Sequence, residues 1–441
     1  MTDRKMLLGM QLGTTYGAQA TAWRSPHSTR EGYTDFDAYV RHAQAAERGK
    51  FHFLFLPDTP GIDNFQPGEA PVFSFDPFLT LAAVARGTSR IGMVATASTT
   101  FMEPYSIARQ FKTLDLLSHG RVGWNPATTS SPAAAANFGQ QVADRPERYQ
   151  KAHESIQIVQ ALWGSWEADA LTFDVEHGRF LDPDRIAPIN LAGEHYSSRG
   201  PLPIPPTEQG QPVLFSAGGG ANGLTIAGRY ASGVIGSTFS LEDARAQREA
   251  ARDAARAAGR DPDEISFFAG LMPAIAPTVR EAVDRRLQLG EHQAPQRVPY
   301  LGQMLGLDLH PEQIDRPFAP EQLAVARPSP FDPRAPRAFE VAQQGWTLRE
   351  VLAHGVIDYH PTPVGPPEVT ADHMQEWFEA GAVDGFWVSP DVYADGIDTF
   401  VDGVVPILQE RGLFHEDYEG TTLRDHLGAP PQYGLDPRLK G

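Results

Sequence analysis

The chain has no cysteine among its 441 residues. That excludes disulfide staples, a thiol nucleophile and thiolate metal sites, and it fits a reducing compartment. No apolar run approaches the roughly 18 residues that a membrane span needs. The stretch Met1 to Gly9 carries neither a long apolar core nor a small-residue cleavage site. The expectation is a cytoplasmic protein without a membrane partner. Positive charge is in deficit: 37 Lys and Arg against 55 Asp and Glu give a formal net charge of −18. Nucleic acid needs a basic surface, so no such partner is expected. A small anion is still permitted, because one Arg or a few backbone N–H groups can hold it locally.

Several chemical signatures are missing as well. The 14 histidines show no H-E-x-x-H and no metal-type spacing with carboxylates, so no metal is expected. There is no G-x-S-x-G, no Walker loop and no paired-carboxylate signature. The chain offers no recognisable nucleophile or electron carrier, and demanding chemistry would fall to an organic cofactor.

What is present is a rhythm. Short apolar strands are expected at Met6 to Leu12, Phe51 to Leu56, Ile91 to Ala97 and Arg121 to Asn125, the last stopped by Pro126. Four more follow at Pro212 to Ala217, Gly233 to Gly236, Ile265 to Ala276 and Gly385 to Ser389. Helical patterns separate them: Phe36 to Gly49, Asp76-Pro77 to Arg86, Tyr105 to Leu117, Pro146 to Trp166, Leu224 to Tyr230, Ala244 to Ala258, and Thr399 to Glu410 with Asp398 placed as its cap. Eight alternations of this kind predict an α/β protein, a closed (β/α)₈ TIM barrel with insertions. One domain is expected over residues 1–441. Its rhythm breaks between Thr278 and His354, and Arg316 to Pro336 is rich in Pro and Ala without a clear period; the segment is read as an insertion over the barrel mouth, ordered by ligand. The polar tail from Leu413 to Gly441 is a candidate wrap around a neighbouring subunit.

In such a barrel, residues just past the carboxyl ends of strands form the working face. Asp58 stands there after the second strand, as a hydrogen-bond acceptor or as a cap for its own turn. Thr96, Ser98, Thr99 and Thr100 close the third strand. Asn125 ends the fourth, and Thr128, Thr129, Ser130 and Ser131 follow it. Tyr149 lies near the start of the next helix, as a phenol for a phosphate or as core. The run Ser216, Ala217, Gly218, Gly219, Gly220 leads from a strand into a helix, where unpaired N–H groups and the helix dipole favour an anion. Gly218, Gly220 and Gly223 match G-x-G-x-x-G, with Asp243 further on. The dinucleotide reading is set aside, since the run follows the fifth strand and Asp243 opens a helix. His153 with His27, and His354 with His360, are noted as candidate site residues against the plainer reading of isolated structural histidines.

The motifs then converge on a family. Trp23-Arg24, Ala95 to Thr100, Arg121-Val122-Gly123-Trp124-Asn125 with Thr129-Ser130, Asn137-Phe138-Gly139 and Glu147-Arg148-Tyr149 occur in order. So do Leu162-Trp163 with Ser165-Trp166-Glu167, Gly200-Pro201-Leu202, and Val404-Val405-Pro406 through Arg411-Gly412-Leu413-Phe414 to Tyr418-Glu419-Gly420-Thr421-Thr422-Leu423-Arg424. This pattern resembles the nitrilotriacetate monooxygenase family of bacterial-luciferase-like flavin enzymes. That family includes alkane, dibenzothiophene-sulfone and dimethyl-sulfide monooxygenases.

The resemblance implies a luciferase-like barrel that takes reduced FMN from a separate NAD(P)H:flavin reductase and uses O₂ to oxygenate a small organic substrate. It also implies a homodimer or homotetramer. By motif position, Asp58 would meet the flavin ring or ribityl chain, and Thr96 and Asn125 would neighbour the isoalloxazine. Thr129, Ser130 and Tyr149 would line the cofactor, and Ser216, Ala217, Gly218, Gly219 and Gly220 would form the phosphate cradle. No catalytic residue is singled out. The family commonly reads W-R-H-P where this chain has Trp23-Arg24-Ser25-Pro26; if the family's histidine gives a proton or hydrogen bond, this chain uses another donor or favours different substrates. Phe51, Phe53, Phe55, Phe73, Phe75, Phe239 and Trp387 are candidate walls. Two alternatives stay open at this stage: a deazaflavin-dependent dehydrogenase of the same fold, and a flavin-binding protein without catalysis.

Overall fold

The strand–helix rhythm closes into a ring. The computed structural model describes residues 4–12, 16–62, 67–71, 75–218, 220–290 and 296–434. Its barrel strands are β1 (Leu7–Gln11), β2 (Phe53–Leu56), β3 (Gly92–Ser98), β4 (Val122–Ala127), β5 (Val213–Ala217), β6 (Gly233–Gly236), β7 (Ser266–Leu271) and β8 (Gly385–Val388). They pair in sequence order, and β8 pairs back to β1, every pair parallel. Each strand leads to a helix: α1 (Phe36–Arg48), α2 (Pro77–Gly87), α3 (Pro104–Leu117), α4 (Arg145–Trp163), α5 (Ala221–Tyr230), α6 (Leu241–Ala257), α7 (Pro367–Glu379) and α8 (Tyr393–Glu410). The helix starts are fixed by side-chain caps. Asp35, Asp76, Asp144 and Ser240 each accept an N–H from the first turn of the helix that follows.

Four sequence expectations need correction. Pro126 does not stop β4; it lies inside the strand opposite Ala97. Its missing N–H falls on the side of β5, where pairing has already ended at Trp124–Leu214, so no ladder bond is lost. The seventh strand ends at Leu271. Beyond Pro273, Ala274–Ile275 leaves the barrel and pairs with Val364–Gly365. Helix α8 begins at Tyr393, six residues early, so Asp398 lies within it and pairs with Arg48 instead of capping. The segment after Thr278 is helical, with Val279–Leu289, Arg297–Leu305, Pro320–Val325, Ala335–Ala342 and Leu348–Ala353. Val298, Leu301, Leu305, Ala338, Val341 and Val351 form a core of their own there. Proline opens some of these helices instead of breaking them, because a first-turn N–H has no intrahelical partner to lose.

The period-two alternation of the strands sorts the core into two shells. Outward residues such as Leu54, Trp124 and Phe386 pack under the helices. Inward residues fill the lumen: Phe53, Phe215 and Phe268 stack with ring centroids 4.9 and 5.0 Å from Phe53 to the other two. The described part of the tail folds beneath this barrel. Leu423, on the short helix Leu423–His426, is fully buried and joins the lumen cluster from below. Its N–H donates to the Gly120 carbonyl at 3.0 Å, and Arg424 Nε donates to Gln211 O at 2.9 Å. Side-chain carbons placed at Gly92 or Gly123 would run into Leu423, so those glycines make its socket. Leu423→Ala should therefore lower the urea unfolding midpoint by the equivalent of about 3 kcal/mol, measured by circular dichroism.

Candidate active site

At the carboxyl end of the barrel, a glycine loop meets a cation. Gly218 has φ +118°, a conformation that side-chain-bearing residues rarely adopt, and the space a side chain would fill there is open. Gly220 needs glycine for a different reason. Its φ is ordinary, but a side-chain carbon there would sit 2.6 Å from Arg145 Nη2. Gly220 also caps α5, whose first-turn N–H groups have no intrahelical partner. Arg145 opens α4, and its guanidinium lies 5.7 Å from the ring centroid of Tyr149 one turn on. The Tyr149 hydroxyl lies 3.9 Å from the position of a side-chain carbon on Gly223. Loop, helix terminus, guanidinium and phenol thus lie together, and groups of this kind suit an anion.

Of the expected cradle residues, Ala217, Gly218 and Gly220 are exposed at this spot, and Gly219 lies outside the described residues. Ser216 is out of phase: Phe215 and Ala217 point inward, so its buried side chain faces the helix layer. Arg145 is the residue that the sequence reading missed. Its signal was its spacing, since positions four apart share a helix face with Tyr149.

The hydroxyls past β3 and β4 form a ladder across the two strands. Asn125 Nδ2 donates to Thr96 Oγ1 at 3.0 Å, both buried and facing the lumen. Thr129 Oγ1 donates to Ser98 Oγ at 2.9 Å, and Thr100 Oγ1 donates to the Thr129 carbonyl at 3.3 Å. Ser130 is exposed and stands apart, while Ser131 caps the following short helix, Pro132–Asn137. Asp58, partly buried past β2, has its carboxyl pushed up to about 6 by burial, with the charge of Asp76 adding to the effect.

The aromatic candidates separate by shell. Phe55 and Trp387 meet in the lumen with centroids 5.7 Å apart. Phe51 packs outside the barrel on Phe400, and Phe75 on Phe36 and Tyr39; Phe73 lies outside the described residues. Phe239, past β6, lies under the Arg334 guanidinium at 4.8 Å, which brings the helical insertion to the mouth. Gln19, past β1, donates to Asp358 Oδ2 at 3.2 Å and ties the same segment to a second loop. The histidines also part company. His153 hydrogen-bonds the Tyr230 hydroxyl, His27 pairs with Asp395, and His354 packs on Trp346 within the insertion. His360 alone among them enters the lumen, edge-on to Trp387 at 5.6 Å.

No group of three or more His, Asp or Glu among the described residues is placed to hold a metal. None of their helices is long and apolar enough to cross a membrane. A cavity of about 560 Å³ opens at the opposite end of the barrel, but its charged walls pair with one another, Arg4 and Arg248 both on Asp384.

A closed parallel barrel with its polar groups gathered at the strand carboxyl ends defines a barrel enzyme. Residues 10–384 match the model for the luciferase-like monooxygenases, and the chain belongs to that family of oxidoreductases. It is 39% identical to N-acetyl-S-(2-succino)cysteine monooxygenase of Bacillus subtilis (strain 168) over 97% of this chain and 98% of the relative. EDTA monooxygenase from Chelativorans sp. BNC1 superposes with a TM-score of 0.82 at 32% identity, covering 98% of this chain and all of that one. A riboflavin lyase solved with modified FMN and riboflavin superposes with a TM-score of 0.77 at 31% identity, covering 97% and 96%.

A carboxyl whose pKa is raised by the fold favours its protonated form there, so Asp58 opposes folding above about pH 6 and is neutral to it below the usual carboxylate value of 3.8. Asp58→Asn should raise stability by about 1 kcal/mol at neutral pH, allowing for the water that still reaches the group. The gain should shrink as pH falls through 6 and vanish below about 4, followed by thermal melts across that range.

Proposed function

We propose that the protein is the oxygenase of a two-component system. It takes reduced FMN from a separate NAD(P)H:flavin reductase and, with O₂, oxygenates a small organic substrate. The observation that carries this reading is the cradle of Gly218, Gly220, Arg145 and Tyr149 at the start of α5. An acidic chain has little reason to gather a guanidinium, a phenol and a helix N-terminus at one open spot unless an anion belongs there. The relative solved with modified FMN adds support for a flavin.

Reduced flavin, when bound, supplies the two electrons that O₂ activation requires. The chain's own groups bind, orient and shield. Arg145 and the α5 N–H groups hold the phosphate, and the Tyr149 hydroxyl completes the cradle. Asn125 and Thr96, already bonded to each other, present a fixed polar edge to the ring system, so little reorganisation is needed on binding. Asp58 accepts a hydrogen bond from the ring or the ribityl chain. Phe55 and Trp387 line the lumen below and keep water from the reacting region.

The test is a titration followed by a coupled assay. FMN in both redox forms should bind the folded protein. FMN, flavin reductase, NADH and ¹⁸O₂ should then yield labelled product from at least one member of a panel of thioethers, sulfones, aminopolycarboxylates and alkanes. No association with either form of FMN would overturn the reading, and binding of deazaflavin alone would replace it with hydride transfer. Arg145→Ala should weaken FMN about tenfold while leaving riboflavin unchanged, because only FMN carries the phosphate. Fluorescence titration of the two flavins reads that difference directly.

A further inference from the structure

The lumen holds two polar atoms without a hydrogen-bond partner among the described residues. Trp387 is 9% exposed and His360 5%, and neither Trp387 Nε1 nor His360 Nδ1 finds a hydrogen-bond partner among the described residues. They arrive from different parts of the chain. Trp387 points inward from β8, level with Gly9 on β1 and Gly270 on β7. His360 comes from the segment that returns from the helical insertion toward α7. A side-chain carbon at Gly270 would project into the lumen and overlap the His360 ring, so that glycine makes room for the imidazole inside the barrel. The two rings meet at 89° with centroids 5.6 Å apart.

An indole N–H can only donate. Left buried without an acceptor it costs stability, and a packed apolar residue of similar shape would avoid that cost. Phe55, Phe215, Ile235 and Phe268, which share the lumen cluster of Trp387, carry no acceptor. Burial also pushes His360 down to about 4, so its ring is neutral near pH 7 and can donate from one nitrogen.

We propose that Trp387 Nε1 and His360 form a hydrogen-bonding subsite for an acceptor oxygen of the organic substrate, a carboxylate, carbonyl or sulfonyl group. This rests on the oxygenase reading above and adds a substrate class to it. The substrate is a molecule whose apolar body contacts Phe55 while an acceptor oxygen reaches the indole. The subsite lies on the β7–β8 side of the mouth, across the barrel from the Thr96–Asn125 edge assigned to the flavin. It also supplies a nitrogen donor in a chain whose W-R-S-P loop has no histidine.

Two variants keep the packing and remove the nitrogens: Trp387→Phe and His360→Phe. FMN affinity of the wild-type protein is measured first, by flavin fluorescence; its absence would strike the oxygenase reading, not the subsite. With FMN bound, calorimetry then follows N-acetyl-S-(2-succino)cysteine, EDTA and dibenzothiophene sulfone as acceptor-bearing probes, and dimethyl sulfide as a probe without an acceptor oxygen. The expected result is a tenfold or greater loss of affinity in each variant for at least one acceptor-bearing probe. FMN affinity should stay within twofold, and dimethyl sulfide should be unaffected. The ligand-free variants should melt at or above the wild-type temperature, because an orphaned buried polar group has been removed. Unchanged probe affinity with tenfold weaker FMN would assign these nitrogens to the flavin and overturn the proposal. A lower melting temperature with all ligands unaffected would reduce them to packing, and failure of every acceptor-bearing probe to bind the FMN-loaded wild type would overturn it too.

Discussion

Closing eight strands into a ring creates a lumen that must be filled, and this barrel fills it from below. Leu423 enters from the tail into a socket left by Gly92 and Gly123, and Phe53, Phe215 and Phe268 stack above it. These are large side chains at full burial, the arrangement that contributes most per residue to a core. Because they occupy the lower part of the lumen, the upper part does not have to carry the same apolar load. Thr96, Asn125, Trp387 and His360 can then sit on the same inward faces of the barrel without unfolding it. Site and core are successive levels of one column of side chains, and the polar level is tolerable because the level beneath it is tightly packed.

The same division governs charge. A net charge of −18 spread over the surface repels an anion at long range, but salt screens that repulsion beyond about 8–10 Å. Local geometry therefore decides. Arg145, the start of α5 and the bare backbone at Gly218 lie within that short range of one another. The insertion gathers its own charge at the mouth, with Arg286 and Arg297 on Asp358 and Arg334 on Asp332. Those groups pair among themselves and brace the loops, so they act as structure at the same end of the barrel where the cradle stands open.

The fold was legible from the sequence because its signal repeats. Eight apolar runs of strand length, each followed by a helical pattern, admit few topologies, and the caps at Asp35, Asp76 and Asp144 mark the helix starts. The insertion was not legible for the converse reason. Its helices run from six to eleven residues, too short for a period to emerge, and their prolines read as breakers when several are starters. Within the site, the glycine run and the strand-end hydroxyls stood out since each needs only a strand end to acquire meaning. The outward turn of the Ser216 side chain is hidden in the sequence, because a contiguous run masks the alternation that turns one residue inward and the next outward. Trp387 stands among the candidate walls and His360 among the noted histidines, but their meeting depends on the return path of the insertion, which no local pattern encodes, and Arg145 gains meaning only from what faces it.

Two kinds of polar group meet at the mouth, and the difference between them has a physical meaning. Asn125 and Thr96 satisfy each other, as do Thr129 and Ser98. Such pairs are rigid before any ligand arrives, and they favour a partner that fits a fixed edge. Trp387 Nε1 and His360 Nδ1 are buried without a partner among the described residues, so the folded chain holds the indole N–H at a cost that a ligand acceptor can relieve. A ligand that supplies the acceptor gains that relief as affinity, whereas an apolar ligand of equal size does not. Discrimination of this kind exceeds what a methylene more or less can give in a purely apolar pocket. A buried donor such as the Trp387 indole N–H therefore makes a more selective filter than the shape of an apolar pocket alone.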